Sequence, residues 1–278
     1  MLRPRKPKPA KVWYFPNALV VQYQKAMRAY VRTLKSQTAA IVIPQVPALI
    51  TEAYTFRPDD DAANPLFDIA AGTYVPRLRR ALDDLLASMN SHNQALIDLA
   101  RQVGRKTADF NAKQFHLSIR NALSVDLFKS EPWLVGELKA FEAENLRLIT
   151  SIPAQHVERL QGVIVKGLRE GQVTSDLVDA IRGIADITES RAEFIAEDQI
   201  GSLNGQLTRL RQQGIGVQQA IWRGVLDRRE RPTHRALEGV TFDWKNPPLG
   251  GPGAEPRCRC WAAAVFPELK DIDAMVVP

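Results

Sequence analysis

The chain is 278 residues long, enough for one large domain or two ordinary ones, and its 45% hydrophobic and 24% charged residues are the proportions of a soluble globular protein. Its longest apolar stretch, residues 39–50, is twelve residues interrupted by Pro44, Gln45 and Pro47, too short for a membrane-spanning helix, which needs ~20 apolar residues. The formal charge of +6 is concentrated at one end: residues 1–11 carry Arg3, Arg5, Lys6, Lys8 and Lys11 and no acid, so the remaining body is close to neutral.

Pro4, Pro7 and Pro9 interleave those cations, so residues 1–16 are expected to form an extended arm. Such an arm is either a solvated terminus or an element lying on an acidic partner or on nucleic acid. No apolar run follows it as a secretory signal requires, which predicts a protein made and kept in a cytoplasm. The aromatic cluster Trp13-Tyr14-Phe15-Pro16 is then either an anchor docking the arm or the edge of the core.

Residues 17–36 have a helical pattern, with Ala18, Val21, Met27, Tyr30 and Leu34 near one side. A proline-containing connection to about Pro65 follows, holding Asp59, Asp60 and Asp61 and room for one short helix or strand. The clearest periodicity is Leu78, Leu82, Leu85, Met89, His92, Leu96, Leu99 and Val103, spaced alternately four and three, the seam of a long helix packed on another. His92 would be a polar notch fixing helix register, and Phe110 lies on the same seam if the helix continues past Gly104.

Beyond Trp133 the pattern predicts a helix opening at Pro153 with Val157, Leu160, Ile164 and Leu168 inward and Gly171 as its C-terminal cap. A short helix capped by Thr174 or Ser175 would carry Leu177, Val178 and Ile181, and a third would run from Thr188 to about Gln213. Short strands are expected at 217–222, 240–244 and 260–266, with a single helical turn opened by Pro232 and holding His234. The fold class is therefore α+β: a basic arm (1–16), a long helical domain (17–130), and a small α+β domain with a short antiparallel sheet (131–278).

Chemistry concentrates in residues 222–260. Cys258 and Cys260 are the only cysteines, and residues two apart rarely satisfy disulfide geometry, so they point to a metal site or to nothing. With His234 and Asp227 they form a candidate ligand set suited to structural zinc, although Cys-x-Cys is a poorer chelate than Cys-x-x-Cys. A catalytic use of Asp227 and His234, as in a metal-dependent nuclease, lacks the extra acids that hold magnesium. The chain also has no glycine-rich phosphate loop, Walker lysine or nucleophile elbow.

Taken in order, Trp222-Arg223, Asp227, Arg231, His234-x-x-Leu237-x-Gly239, an apolar-aromatic strand, Pro252-Gly253 and Cys258-Arg259-Cys260 resemble the signature of the phage Mu F-like family. Upstream, Ser190-Arg191-Ala192, Ile195-Ala196-Glu197-Asp198-Gln199 and Asn204-Gly205 resemble the helix preceding it, and Ser151-Ile152-Pro153 and Gly171 fit the helical lead-in. The resemblance covers about residues 145–266 and rests on the ordered combination, since no piece is specific alone. It departs at Gly224-Val225-Leu226, where relatives often carry polar residues, which speaks against a polar catalytic loop at Asp227.

The resemblance implies a minor head protein of a tailed double-stranded DNA phage, not an enzyme. It implies entry into the procapsid in few copies and association with the portal protein, with major capsid or scaffold proteins and packaged DNA as further partners. The implied location is the capsid interior near the portal vertex, after assembly in the host cytoplasm, with no membrane role. The alternatives are a metal-dependent nuclease and a general nucleic-acid-binding protein; the near-neutral body and the lack of a base-reading motif count against the latter.

Overall fold

The computed structural model describes residues 13–55, 73–123 and 130–266. The arm residues Arg3, Arg5, Lys6, Lys8 and Lys11, the acid triplet at 59–61 and Pro65 lie outside the described residues. Helices dominate: α1 (Asn17–Ile41), α2 (Val46–Thr55), α3 (Val75–Leu123), α4 (Leu134–Arg169) and α5 (Thr174–Gly214). There follow β1 (Gln219–Arg223), the single turn α6 (Pro232–Arg235), β2 (Thr241–Asp243) and β3 (Trp261–Val265). This is the expected order of long helices followed by a small antiparallel sheet. Among the described residues no helix is long and apolar enough to cross a membrane.

The described residues form two compact units, each assembled from separated stretches: 13–23, 100–123, 130–143 and 196–266 in one, and 24–55, 73–99 and 144–195 in the other.

In the second unit, α1 buries Met27, Tyr30, Val31 and Leu34. The stripe begins with Val20 and Tyr23, whereas Ala18 and Val21, expected inward, are exposed. α3 runs 49 residues and passes Gly104 without interruption. Its buried stripe starts as expected, with Leu78, Leu82, Leu85 and Met89. It then leaves the heptad: His92 is exposed, its Nδ1 facing the Ser88 carbonyl at 3.2 Å, while Leu99 and Phe110 are half-buried. Leu78, Met89, Ala100 and Asn111, each eleven residues apart, are all buried, as are Leu85, Leu96 and Thr107. An eleven-residue repeat advances ~3.67 residues per turn against 3.5 for a heptad, so the buried stripe drifts from the heptad positions and leaves His92 off the seam.

α4 does not begin at Pro153; it runs through it. Val157, Leu160, Ile164 and Leu168 do face inward, and Gly171 ends the helix at φ 72°. There the Gln172 amide donates to the Gly167 carbonyl and the Gly171 amide to that of Leu168, the paired bonds of a left-handed helix stop. Nor does a new helix start at Thr188, because α5 is continuous over 41 residues. The Thr188 hydroxyl is buried, donating to the Ile184 carbonyl and meeting His156 Nδ1 at 3.0 Å, while His156 Nε2 lies 3.1 Å from the Thr38 hydroxyl.

Burial, with a smaller contribution from the Arg159 charge, lowers the His156 pKa from 6.5 to about 4. The neutral ring is the form the fold holds, so its contribution is complete above pH ~6.5 and is lost as pH falls toward 4. That difference corresponds to about 3 kcal/mol. Urea denaturation midpoints at pH 7.5 and 4.5 should separate accordingly, and His156→Gln should remove most of the separation.

In the first unit the sheet has order β2-β1-β3, with both pairings antiparallel. Ala220 faces Phe242 across one pairing and Ala264 across the other. One face of the sheet buries Ala220, Trp222, Phe242, Trp244 and Ala262 together with Cys258 and Cys260. A second cluster of Trp13, Phe115, Ile119, Ile215 and Val217 packs against Trp261 and Phe266. Trp13 stacks on Trp261 with ring centroids 6.4 Å apart, so the aromatic cluster at 13–16 contributes to the edge of the core.

Candidate metal centre and its ionic clasp

The site is built by two backbone excursions beside the β1–β3 pairing. Pro232 starts α6, which turns His234 inward until the imidazole is 3% exposed. The ring meets the fully buried Trp222 indole edge-on, centroids 5.5 Å apart, so β1 sets its position. The second excursion, residues 247–257, returns the chain to β3 through Cys258 and Cys260. Both thiols are free and buried, each with Sγ 3.5 Å from His234 Nδ1. The three ligand atoms all lie within 4.8 Å of one another. The opposite ring nitrogen, Nε2, is 2.6 Å from a Glu255 carboxylate oxygen, which also accepts from Arg231 at 2.7 Å. Arg231 further donates to the Pro256 carbonyl.

Asp227 is not part of this cluster. Its two carboxylate oxygens accept from the two terminal nitrogens of Arg259, each at 2.7 Å. That pairing, supported by the Arg229 amide, lowers its pKa to about 2. The acid nearest the thiols is Glu230, with Oε1 3.3 Å from Cys260 Sγ. Neither Glu230 nor Glu255 stands out in the sequence. Both sit in an arginine-rich stretch where acids look like ordinary solvated charges, and only the return of the 247–257 loop brings Glu255 to the ring.

The two thiols are electrostatically unequal. Cys258 is drawn down to about 6, chiefly by a hydrogen bond from the Cys260 thiol and despite burial, with the Gly253 and Cys260 amides and His234 assisting. Cys260 is pushed up for the reciprocal reason: it holds its proton beside Cys258, in a buried position, near Glu230. The Gly253 amide lies 3.3 Å from Cys258 Sγ. A cavity of about 20 Å³ opens at the cluster, between the thiols, Glu230 and the arginines, room for one water-sized occupant.

Ionic pairs tie both loops to α5. Glu197, buried on the helix, accepts from Arg229 at 2.7 Å and from Arg257 at 3.1 Å. Asp198 accepts the backbone amide of Arg257, a residue with φ 56°. The remaining signature residues are accounted for by packing and backbone geometry. Leu237 packs against the Trp222 core, and Gly239, at φ 79°, donates its amide to the Trp222 carbonyl. Pro252 and Gly253 lie against Gly205 of α5.

Fold and site together describe a largely helical chain with a small antiparallel sheet whose loops are tied to α5 by ionic pairs and meet at a His/Cys cluster. Residues 158–263, from the last third of α4 through α5 and the loops into the start of β3, match the family model described as Phage Mu protein F like protein, and this part of the chain is similar to that family. An uncharacterized protein of Haemophilus influenzae is 32% identical over 155 residues, covering 54% of this chain. The chain spans about a third of that relative, the match covering 35% of its length. No solved structure matches.

Proposed function

We propose that the chain is a minor head protein of a tailed double-stranded DNA phage, acting in head morphogenesis through association with the portal protein and packaged DNA inside the capsid. The observation that carries this reading is the Mu F-like match over residues 158–263, which takes in α5 and the loops ionically paired to it. The five cations of residues 1–11 suit a DNA-filled shell. Major capsid or scaffold proteins are the other expected contacts during assembly.

The test is co-expression with the portal and major capsid proteins of the same phage. The chain should co-sediment with portal-containing procapsids, and its absence from them would overturn the reading. Deleting residues 1–11 should leave the denaturation midpoint unchanged but weaken retention of double-stranded DNA. The slope of log affinity against log salt should flatten by about 4.5, the release expected from five phosphate contacts. Unchanged DNA retention and normal incorporation into heads would reduce the arm to a plain terminus.

The His234, Cys258 and Cys260 cluster beside a small cavity favours, as a second reading, a metal-dependent nuclease. Against it, Asp227 is fully engaged by Arg259 and is not available to hold a hydrated magnesium ion. Incubating the full chain with plasmid DNA, with and without divalent metal, separates the two.

A further inference from the structure

We propose that His234 Nδ1, Cys258 Sγ and Cys260 Sγ bind one zinc ion, with water from the adjoining cavity in the fourth position, clasping α6 to the entry of β3. This goes beyond the head-protein reading and does not depend on it.

The argument is stereochemical. Glu255 sits 2.6 Å from Nε2, which places the ring's donor at that nitrogen and leaves Nδ1 as the nitrogen facing the thiols. Both thiols approach that single lone pair at the same 3.5 Å, although it can accept only one thiol proton well. Two sulfurs and one nitrogen converging on a common point is a poor hydrogen-bond arrangement and a good coordination one. With Zn–S near 2.3 Å and Zn–N near 2.0–2.1 Å, a tetrahedral S–N edge is about 3.6 Å, close to the spacing already present. The carboxylate on Nε2 is the usual orienting partner of a metal-bound histidine, fixing its tautomer and raising its basicity. Two thiolates and an imidazole select zinc over the oxygen-loving cations.

The spacing also suits the mechanics. The sheet has only three strands, and the ligands come from two separate loops beside it. An ion shared between them couples their folding to its binding.

The full chain, purified under reducing conditions without chelator, should contain one zinc per chain by elemental analysis. X-ray absorption should show two sulfur neighbours at about 2.3 Å. Stripping the metal with a chelator should lower the melting temperature, and re-adding zinc should restore it. Cobalt added to the stripped chain should give a sulfur-to-cobalt charge-transfer band, absent from Cys258→Ser and Cys260→Ser. His156→Gln, which alters a buried histidine outside the cluster, should keep full stoichiometry. If the serine variants do not fold, cobalt titration of the unaltered chain still decides. A chain that stays free of zinc after supplementation, or a cobalt complex without the sulfur band, overturns the proposal.

Discussion

Replacing Arg211 by alanine is expected to destabilise the first unit by about 3–5 kcal/mol, the cost of stranding the partners of a buried charge. The guanidinium is almost entirely enclosed, its side chain 2% exposed. Nε and Nη2 donate to the two Glu131 oxygens at 2.6 and 2.8 Å, and Nη1 donates to Asn111 Oδ1 at 2.6 Å and the Ala108 carbonyl at 3.2 Å. The Trp133 ring lies 5.8 Å from its charge centre. Asn111 in turn donates to the Asn204 carbonyl at 2.9 Å and to the Thr208 hydroxyl at 2.8 Å, so the loss propagates along α5. Chemical denaturation should show the drop. A double-mutant cycle with Glu131→Gln should give a coupling above about 1 kcal/mol, because the two side chains share two hydrogen bonds. Additive effects would mean the pair is energetically idle.

This network was invisible in the sequence, and the reason is general. Asn111, Asn204 and Arg211 are polar residues on helices, and local pattern assigns such residues to solvent. Burying them is a choice made by partners 80 to 100 residues away, as the Arg211–Glu131 and Arg211–Asn111 bonds illustrate. The helices themselves were legible because apolar periodicity is local. Their breaks were not. Pro153 costs a helix ~3 kcal/mol in isolation. Here Ile149 and Ile152 on one side and Leu160 and Ile164 on the other are fully buried, and that burial outweighs the penalty. The carbonyls near the interruption are occupied as well: Ser151 donates to that of Leu148, and Thr150 to those of Leu146 and Arg147.

The candidate site divides the same way. His234, Cys258 and Cys260 were readable because their chemistry is rare and their spacing is bounded by short turns. Asp227 shared that neighbourhood in sequence, yet the structure gives it to Arg259, because a bidentate guanidinium competes well for an exposed carboxylate. The glycines lay between these extremes: Gly205 and Gly253 stand in the sequence only as parts of a resemblance, and geometry alone says why alanine fails there.

Gly205→Ala is the second large effect expected, a destabilisation of about 3 kcal/mol or more, at the upper end for an overpacked interior. A methyl group at position 205 would stand 2.6 Å from the Pro252 carbonyl oxygen and 2.9 Å from Gly253 Cα. These are backbone atoms that cannot rotate aside. The approach is reciprocal: a methyl at Gly253 would meet Gly205 Cα at 2.8 Å, and Gly253 also holds φ 92°, which side-chain-bearing residues rarely adopt. The same substitution at Gly183, on the same helix, meets nothing within 4 Å and should instead stabilise by about 0.5–1 kcal/mol through helix propensity. Opposite signs at two positions of one helix are the diagnostic result, read from denaturation midpoints, and equal signs would remove the close-approach argument. The effect should also reach the site. The Gly253 amide sits 3.3 Å from Cys258 Sγ, so pushing the loop off α5 uncovers the buried thiol. Reaction of Cys258 with a thiol reagent should therefore be faster in Gly205→Ala and unchanged in Gly183→Ala, because only the former moves the loop that shields it.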